Sequence, residues 1–195
     1  MILSELEKIN IDLSGEKCRL RLFEAKHLED PSYLAWLRDP EVVKNLNLPH
    51  YLETNVSFSQ IAAYCHSIWS SPDDIFYALH LASDDTFIGT VKAGHINWYA
   101  GTADLGILIG LRKMWGKGIA SEALSLLASH LFEKAKLRRL TAGVMDTNPA
   151  MIRVFEKLGF QREGTFRQQD RLGDAYIDHI HLGCLKHEFV EKQTR

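Results

Sequence analysis

The stretch Trp115-Gly116-Lys117-Gly118-Ile119-Ala120-Ser121-Glu122-Ala123-Leu124 sets two glycines in a basic loop directly before a strongly amphipathic segment. Glycines let the backbone come close to a ligand. The first amides of a helix have no partners inside it, and the aligned peptide dipoles favour negative charge at that end. Lys113 and Lys117 add positive charge beside the loop. A phosphate-bearing ligand is the expected occupant. Neither common nucleotide fingerprint fits: five residues separate Gly110 from Gly116 and Lys117 is followed by Gly118, so this is no P-loop, and Ser121 stands where a dinucleotide motif has its third glycine.

Downstream of the loop, Ala120, Ala123, Leu124, Leu127 and Leu131 fall on one helical face and predict a helix lying on a sheet. Residues 139–145 then read as a strand. Met151, Val154, Phe155 and Leu158 form a second helical stripe, which Gly159 ends as a C-terminal cap. Residues 161–167 and 176–185 make a last pair of strands across Leu172-Gly173-Asp174. Upstream, Leu20 and Leu22 alternate with Arg19 and Arg21 in a first strand over 18–23. Helices are predicted over 27–37, 40–46 and 58–69, followed by a meander of strands over 75–82, 86–98 and 102–110. Without a Pro-, Gly- or Ser-rich linker or an internal repeat, residues 1–195 read as a single domain.

Composition agrees. A chain of 195 residues with 46% hydrophobic and 25% charged residues can bury one substantial core. Its net charge of −2 gives no reason to expect affinity for nucleic acid or an acidic membrane. Glu5, Glu7 and Lys8 break the early apolar residues, which fits neither a signal peptide nor a membrane span. Cys18, Cys65 and Cys184 are widely spaced and odd in number, the expectation for reduced thiols in a cytoplasmic protein.

The segment Asn148-Pro-Ala-Met-Ile-Arg-Val-Phe-Glu-Lys-Leu-Gly-Phe160, taken with the glycine loop, resembles the GNAT superfamily of acetyl-CoA-dependent N-acetyltransferases. The resemblance covers roughly residues 17–186. It is greatest to the ribosomal-protein alpha-amino acetyltransferases and their small-amine relatives. It implies an α/β (α+β) fold with a mixed, mostly antiparallel sheet flanked by helices, and a strand that splays from its neighbour at the acetyl-CoA site. On this likeness, the backbone of Ile107, Leu108 and Ile109 binds the pantetheine arm. The pyrophosphate rests on the loop of Lys113, Trp115, Gly116, Lys117, Gly118, Ile119 and Ala120.

The resemblance also places Asn148 beside the cofactor arm, although Asn before Pro149 is equally a helix-start signal. Phe155 stands where many relatives carry a tyrosine acid, and Met151 where others carry a serine; neither can donate a proton. Asp104 occupies the position of a carboxylate that could take the amine's proton through water, and it also reads as an exposed strand carboxylate. Glu122, in the first turn of the helix, is expected to support the glycine loop.

Acyl transfer needs a neutral amine. At pH 7 an alpha-amine costs about 1 kcal/mol to neutralise and a lysine about 4.6 kcal/mol. An acceptor of low basicity is therefore expected, either a protein N-terminus or an amino sugar. A binding module that holds acetyl-CoA without transferring it is the alternative of a different class.

The acceptor pocket is expected from residues 45–51, 95–99 and 167–178. There His95, Trp98 and Tyr176 would contact substrate, with Tyr99 and Asp170, Asp174 and Asp178 nearby. His179 and His181 share a strand face but lack a third metal ligand, so no metal is expected. The last hairpin offers a surface on which two copies could pair.

Overall fold

The computed structural model describes residues 11–44, 46 and 55–193. Eight strands form one sheet in the order β1-β2-β3-β4-β5-β6-β8-β7. They are β1 (Leu13–Ser14), β2 (Cys18–Leu22), β3 (Ile75–Leu81), β4 (Phe87–Asn97), β5 (Thr102–Ile109), β6 (Arg139–Met145), β7 (Gln161–Leu172) and β8 (Ala175–Leu185). Every neighbouring pair is antiparallel except β5 with β6. The helices are α1 (Ala25–Glu29), α2 (Pro31–Trp36), α3 (Pro40–Val43), α4 (Phe58–Trp69), α5 (Ile119–Glu133), α6 (Pro149–Lys157) and α7 (Lys186–Gln193). This is the mixed, mostly antiparallel sheet flanked by helices that the family resemblance implies.

Each face of the sheet carries its own apolar cluster. On the back, Leu124, Leu127 and Leu131 of α5 and Phe155 of α6 pack on alternate residues of the strands, such as Val91, Leu105, Leu140 and Ile180. On the front, Phe23, Tyr33, Trp36, Ile61 and Ile68 pack against Phe76, Ala78 and Leu108. All seven residues of β3 are buried, because helices cover it on both sides. That double burial explains a nearly continuous apolar run where a half-exposed strand would alternate.

Helix ends follow local chemistry. Ser57 and Gln60 form a reciprocal capping box at the start of α4, and Asn148 accepts the amide of Met151 ahead of Pro149 at the start of α6. Gly159, with φ 98°, follows Leu158, the C-terminal cap of α6, in the left-handed region that glycine adopts most easily.

The helix expected over 27–37 is instead two helices. Asp30 is extended and caps the amide of Ser32, while Pro31 opens α2 because it lacks an amide to continue α1. The one expected over 40–46 ends at Val43, and residues 45 and 47–51 of the expected acceptor segment lie outside the described residues. Both strands of the last hairpin run longer than expected. β1 and α7 are additional elements.

Candidate active site

Only three residue pairs join β5 to β6, from Thr102 opposite Arg139 to Asp104 opposite Thr141. Beyond Asp104 the two strands part. β5 stays paired with β4 as far as Ile109, and β6 stays paired with β8 as far as Met145. The result is the expected splayed strand, a wedge-shaped opening in the middle of the sheet. It leads into a cavity of about 1470 Å³, larger than a typical single small-molecule pocket and roomy enough for two substrates.

The glycine loop closes one end of this cavity. At the tip of β5 the amides of Gly110 and Leu111 both donate to the carbonyl of Ile88, which turns the chain out of the strand. A short 3-10 turn, Arg112–Met114, follows. The indole of Trp115 then donates back to the Ile109 carbonyl at 2.7 Å, tying loop to strand. Gly116 (φ 73°) and Gly118 (φ 79°) are both left-handed, a conformation costly for any residue with a side chain.

Gly118 is the N-terminal cap of α5. The first helical amides there open on the cavity wall formed by Gly118, Ile119, Ala120 and Ser121. A Cβ added at Gly116 or at Gly106 would meet nothing within 4 Å, so both glycines border open space. These features fit a phosphate at the loop and an extended arm along β5.

Glu122 does not brace the glycine loop as expected. Its carboxylate accepts the backbone amides of Glu16, Lys17 and Cys18 at 3.1, 2.8 and 2.9 Å, clamping the β1–β2 turn onto α5. Burial pushes its pKa up, and these donors outweigh burial to hold it below the usual carboxylate range. The loop is instead touched by Lys17, whose ammonium donates to the Lys117 carbonyl at 3.3 Å. Lys17 lines the cavity, whereas Lys113 and Lys117 are exposed and do not.

The other end of the cavity is a polar strip on the front of the sheet. Asp104 and Gly106 of β5, Gly143 of β6, and His181 and His179 of β8 line it, alternating with residues of the back cluster. Asp104 is half-buried at the point where the strands part, and Thr141 donates to its Oδ1 at 2.9 Å. Burial raises its pKa, with the Thr141 bond and the nearby His95, Lys92 and His181 pulling the other way. A carboxylate of raised pKa is a better proton acceptor than an ordinary surface one. Facing this strip, Tyr33, Leu37, Val42 and Ile61 of the front helices supply an apolar wall.

Of the residues picked out from the sequence, the structure gathers Asp104, Ile107, Leu108, Ile109, Trp115, Gly116, Gly118, Ile119, Ala120, Asn148 and Phe155 around one cavity. Asn148 caps α6 and lines the cavity as well. Phe155 is buried against Phe160, with ring centroids 5.0 Å apart. The three acceptor-contacting candidates lie elsewhere. His95 is exposed at a bulge, Trp98 donates its indole to the Pro72 carbonyl at 3.2 Å, and Tyr176 sits 66% exposed near the hairpin tip. None of them lines the cavity.

Sequence reasoning missed the apolar wall and the pairing of His179 with Asp170. Among the described residues no cluster of three or more His, Cys, Asp or Glu side chains is placed to hold a metal ion, and no helix is long and apolar enough to cross a membrane.

Residues 17–161 match the family described as Acetyltransferase (GNAT) domain. The chain is 30% identical over 179 residues to the "Uncharacterized N-acetyltransferase p20" of Bacillus licheniformis, covering 91% of this chain and 98% of that protein. It is 33% identical over 95 residues to the "Ribosomal-protein-serine acetyltransferase" of Escherichia coli (strain K12), which is 49% of this chain and 52% of the relative. Among solved structures, spermidine N-acetyltransferase from Vibrio cholerae in complex with CoA and spermine superposes with a TM-score of 0.78 at 19% identity, covering 90% of this chain and 99% of that one. At that identity the likeness is one of fold.

Proposed function

The chain belongs to the GNAT acetyltransferases, a family that uses acetyl-CoA, and from that premise we propose that its acceptor is the alpha-amino terminus of a protein. One observation carries the transfer chemistry: the parting of β5 from β6 opens a single cavity with the glycine loop at one end and Asp104 at the other. Acetyl-CoA enters with its pyrophosphate on the amides of Gly116 to Ala120 and its pantetheine arm along Ile107, Leu108 and Ile109. The side-chain amide of Asn148 is available to that arm. The acceptor nitrogen enters from the polar strip.

Both substrates are held together and the acetyl group passes directly between them. Asp104 draws the ammonium and takes its proton through water, and the freed lone pair attacks the thioester carbonyl. The C–S bond then breaks and CoA leaves as a thiolate, which water protonates because Phe155 and Met151 have no proton to give. Orientation of two bound reactants recovers roughly 7–11 kcal/mol of the barrier, so a modest base suffices for an amine of low basicity.

The apolar wall of Tyr33, Leu37, Val42 and Ile61 supports a peptide, whose first side chains need such a surface. Trp98 and Tyr176, the side chains expected to stack on a sugar ring, lie away from the cavity. The half-length likeness to a ribosomal-protein-serine acetyltransferase points the same way.

CoA-thiol release is measured with two acceptor pools, short peptides of varied N-terminal residue and amino sugars. Release with peptides is expected. Release with sugars alone overturns the acceptor assignment, and binding of acetyl-CoA without release from any amine replaces transfer with a sensor role.

A further inference from the structure

Acetylation of an ammonium removes two protons from one nitrogen, the first before attack and the second from the tetrahedral adduct. Asp104 accounts for one of them. The same polar strip holds a second group with the chemistry for the other. His179 is 5% exposed, and its Nδ1 lies 2.6 Å from Oδ2 of Asp170. With the Nδ1 proton donated to that carboxylate, a neutral ring carries its lone pair on Nε2. That atom leans across β6: a Cβ at Gly143 would lie 2.2 Å from it, so only glycine leaves the imidazole this position. His181 packs beside it at 4.9 Å between centroids, and Phe166 packs on His181 at 4.0 Å. Asp170, His179, His181, Gly143 and Phe166 all border the cavity.

β7 departs from regular pairing at the point that creates the couple. Phe166 lies opposite His179 and Asp170 opposite Ile177, so four residues of β7 advance against two of β8. In unbroken register Asp170 would stand opposite Ala175, farther along the hairpin. The bulge carries Gln168 at φ 55°, in the left-handed region, and the side chain of Asp178 accepts its amide at 2.8 Å. Bulges recur beside active sites because they re-aim a side chain. Here the side chain re-aimed is the carboxylate that orients an imidazole.

We propose that His179, oriented by Asp170, is a second proton acceptor for the acceptor amine, acting from the β8 side of the cavity while Asp104 acts from β5. Asp104 takes the first proton from the ammonium. The nitrogen lone pair then forms the C–N bond to the thioester carbon, and Nε2 of His179 takes the second proton from the adduct nitrogen, directly or through one water. The carbonyl re-forms as the C–S bond breaks, the thiolate leaves, and the imidazolium beside Asp170 discharges its proton to water. Asp170 is a positioning residue, which acts through the ring it holds. The inference rests on the acetyl-transfer reading given above.

The test is steady-state CoA release at pH 7 with the best peptide acceptor, run with acetyl-CoA binding on wild type, His179→Gln, His179→Ala, Asp170→Asn and Asp104→Asn. Glutamine is expected to cut kcat about 100-fold, within the usual worth of a general base, with acetyl-CoA affinity unchanged. Added imidazole is expected to restore part of the kcat of His179→Ala and none of that of Asp104→Asn. Asp170→Asn, the mildest change, is expected to lower kcat while preserving the urea midpoint.

Folded variants with wild-type kcat overturn the proposal. So does a loss in His179→Ala that imidazole leaves untouched, which would mark His179 as packing alone. Wild-type enzyme that binds acetyl-CoA but releases no CoA with any amine overturns the transfer reading itself, an outcome distinct from the other two.

Discussion

Among the described residues, four helices cover the front of the sheet from β2 to the far end of β5 at Leu108, whereas from Asp104 of β5 across to β8 it opens on the cavity; each region contains a pair of histidines. In the sealed half the amide of Glu24 donates to Nδ1 of His27 at 2.9 Å. The Nε2 atoms of His27 and His80 lie 3.2 Å apart, and Nδ1 of His80 is 2.7 Å from the Asp85 carbonyl. This chain is satisfied only with both rings neutral, each in one tautomer. Burial first, then His80 and Lys26, push the pKa of His27 down to about 4. In the open half His179 faces a carboxylate and a cavity. Two imidazole pairs on one sheet face thus differ in access to the cavity and in how closely a carboxylate holds the ring, with Asp170 Oδ2 2.6 Å from Nδ1 of His179 and Asp85 Oδ1 3.9 Å from Nδ1 of His80, and these separate a packing role from a chemical one.

If the contrast holds, changes in the sealed half alter stability and changes in the open half alter turnover. The largest effect is expected from Phe23→Ala. Phe23 is 4% exposed and its ring contacts Phe76 at 4.4 Å and Tyr33 at 5.2 Å, so truncation should cost about 3–5 kcal/mol in urea unfolding.

Acid comes next. With a folded pKa of about 4 against an ordinary value of 6.5, the unfolded chain binds an extra proton between those limits. The contribution of His27 is complete above about pH 6.5 and falls away as the pH drops toward about 4, a loss of about 3 kcal/mol. Urea midpoints across that window should fall, and His27→Gln should flatten the slope; an unchanged slope would refute the sealed pair.

In the open half, Asp104→Asn keeps an acceptor for Thr141 and should leave the urea midpoint nearly unmoved. Stopped-flow or steady-state turnover should fall about 100-fold, about 2.7 kcal/mol. Gly116→Val is expected to be the smallest, weakening acetyl-CoA about tenfold in calorimetric titration, because a side chain enters the space beside the loop and the φ of 73° resists it. Full affinity in a folded variant would move the pyrophosphate elsewhere.

Much of this was legible beforehand. α4 and β6 have the bounds that periodicity predicts, and the glycine loop lies where its composition placed it. Legibility failed where short-range patterns carry no signal. Residues 167–171 are all polar or charged on an exposed edge strand, so no alternation announces that β7 continues through them. The bulge there also breaks the period of two by which Asp170 could have been assigned to the face of His179. The acceptor wall failed for another reason: it is assembled from α2, α3 and α4, whose apolar residues look like any core. Glu122 was read against its own loop because its true partners lie more than a hundred residues earlier.

That last contact bears on how the protein is made. The amides of the first sheet turn find their acceptor 104 to 106 residues later in the chain. At ribosomal rates of about 5–20 residues per second, they wait roughly 5 to 20 seconds for Glu122 to be synthesised. Until then the opening hairpin of the nascent chain has no clamp. Docking of this early-made segment onto α5, the helix proposed to receive acetyl-CoA, is therefore a late event in biogenesis, and a pause in translation before codon 122 would prolong the interval in which its strand edges are open to other chains.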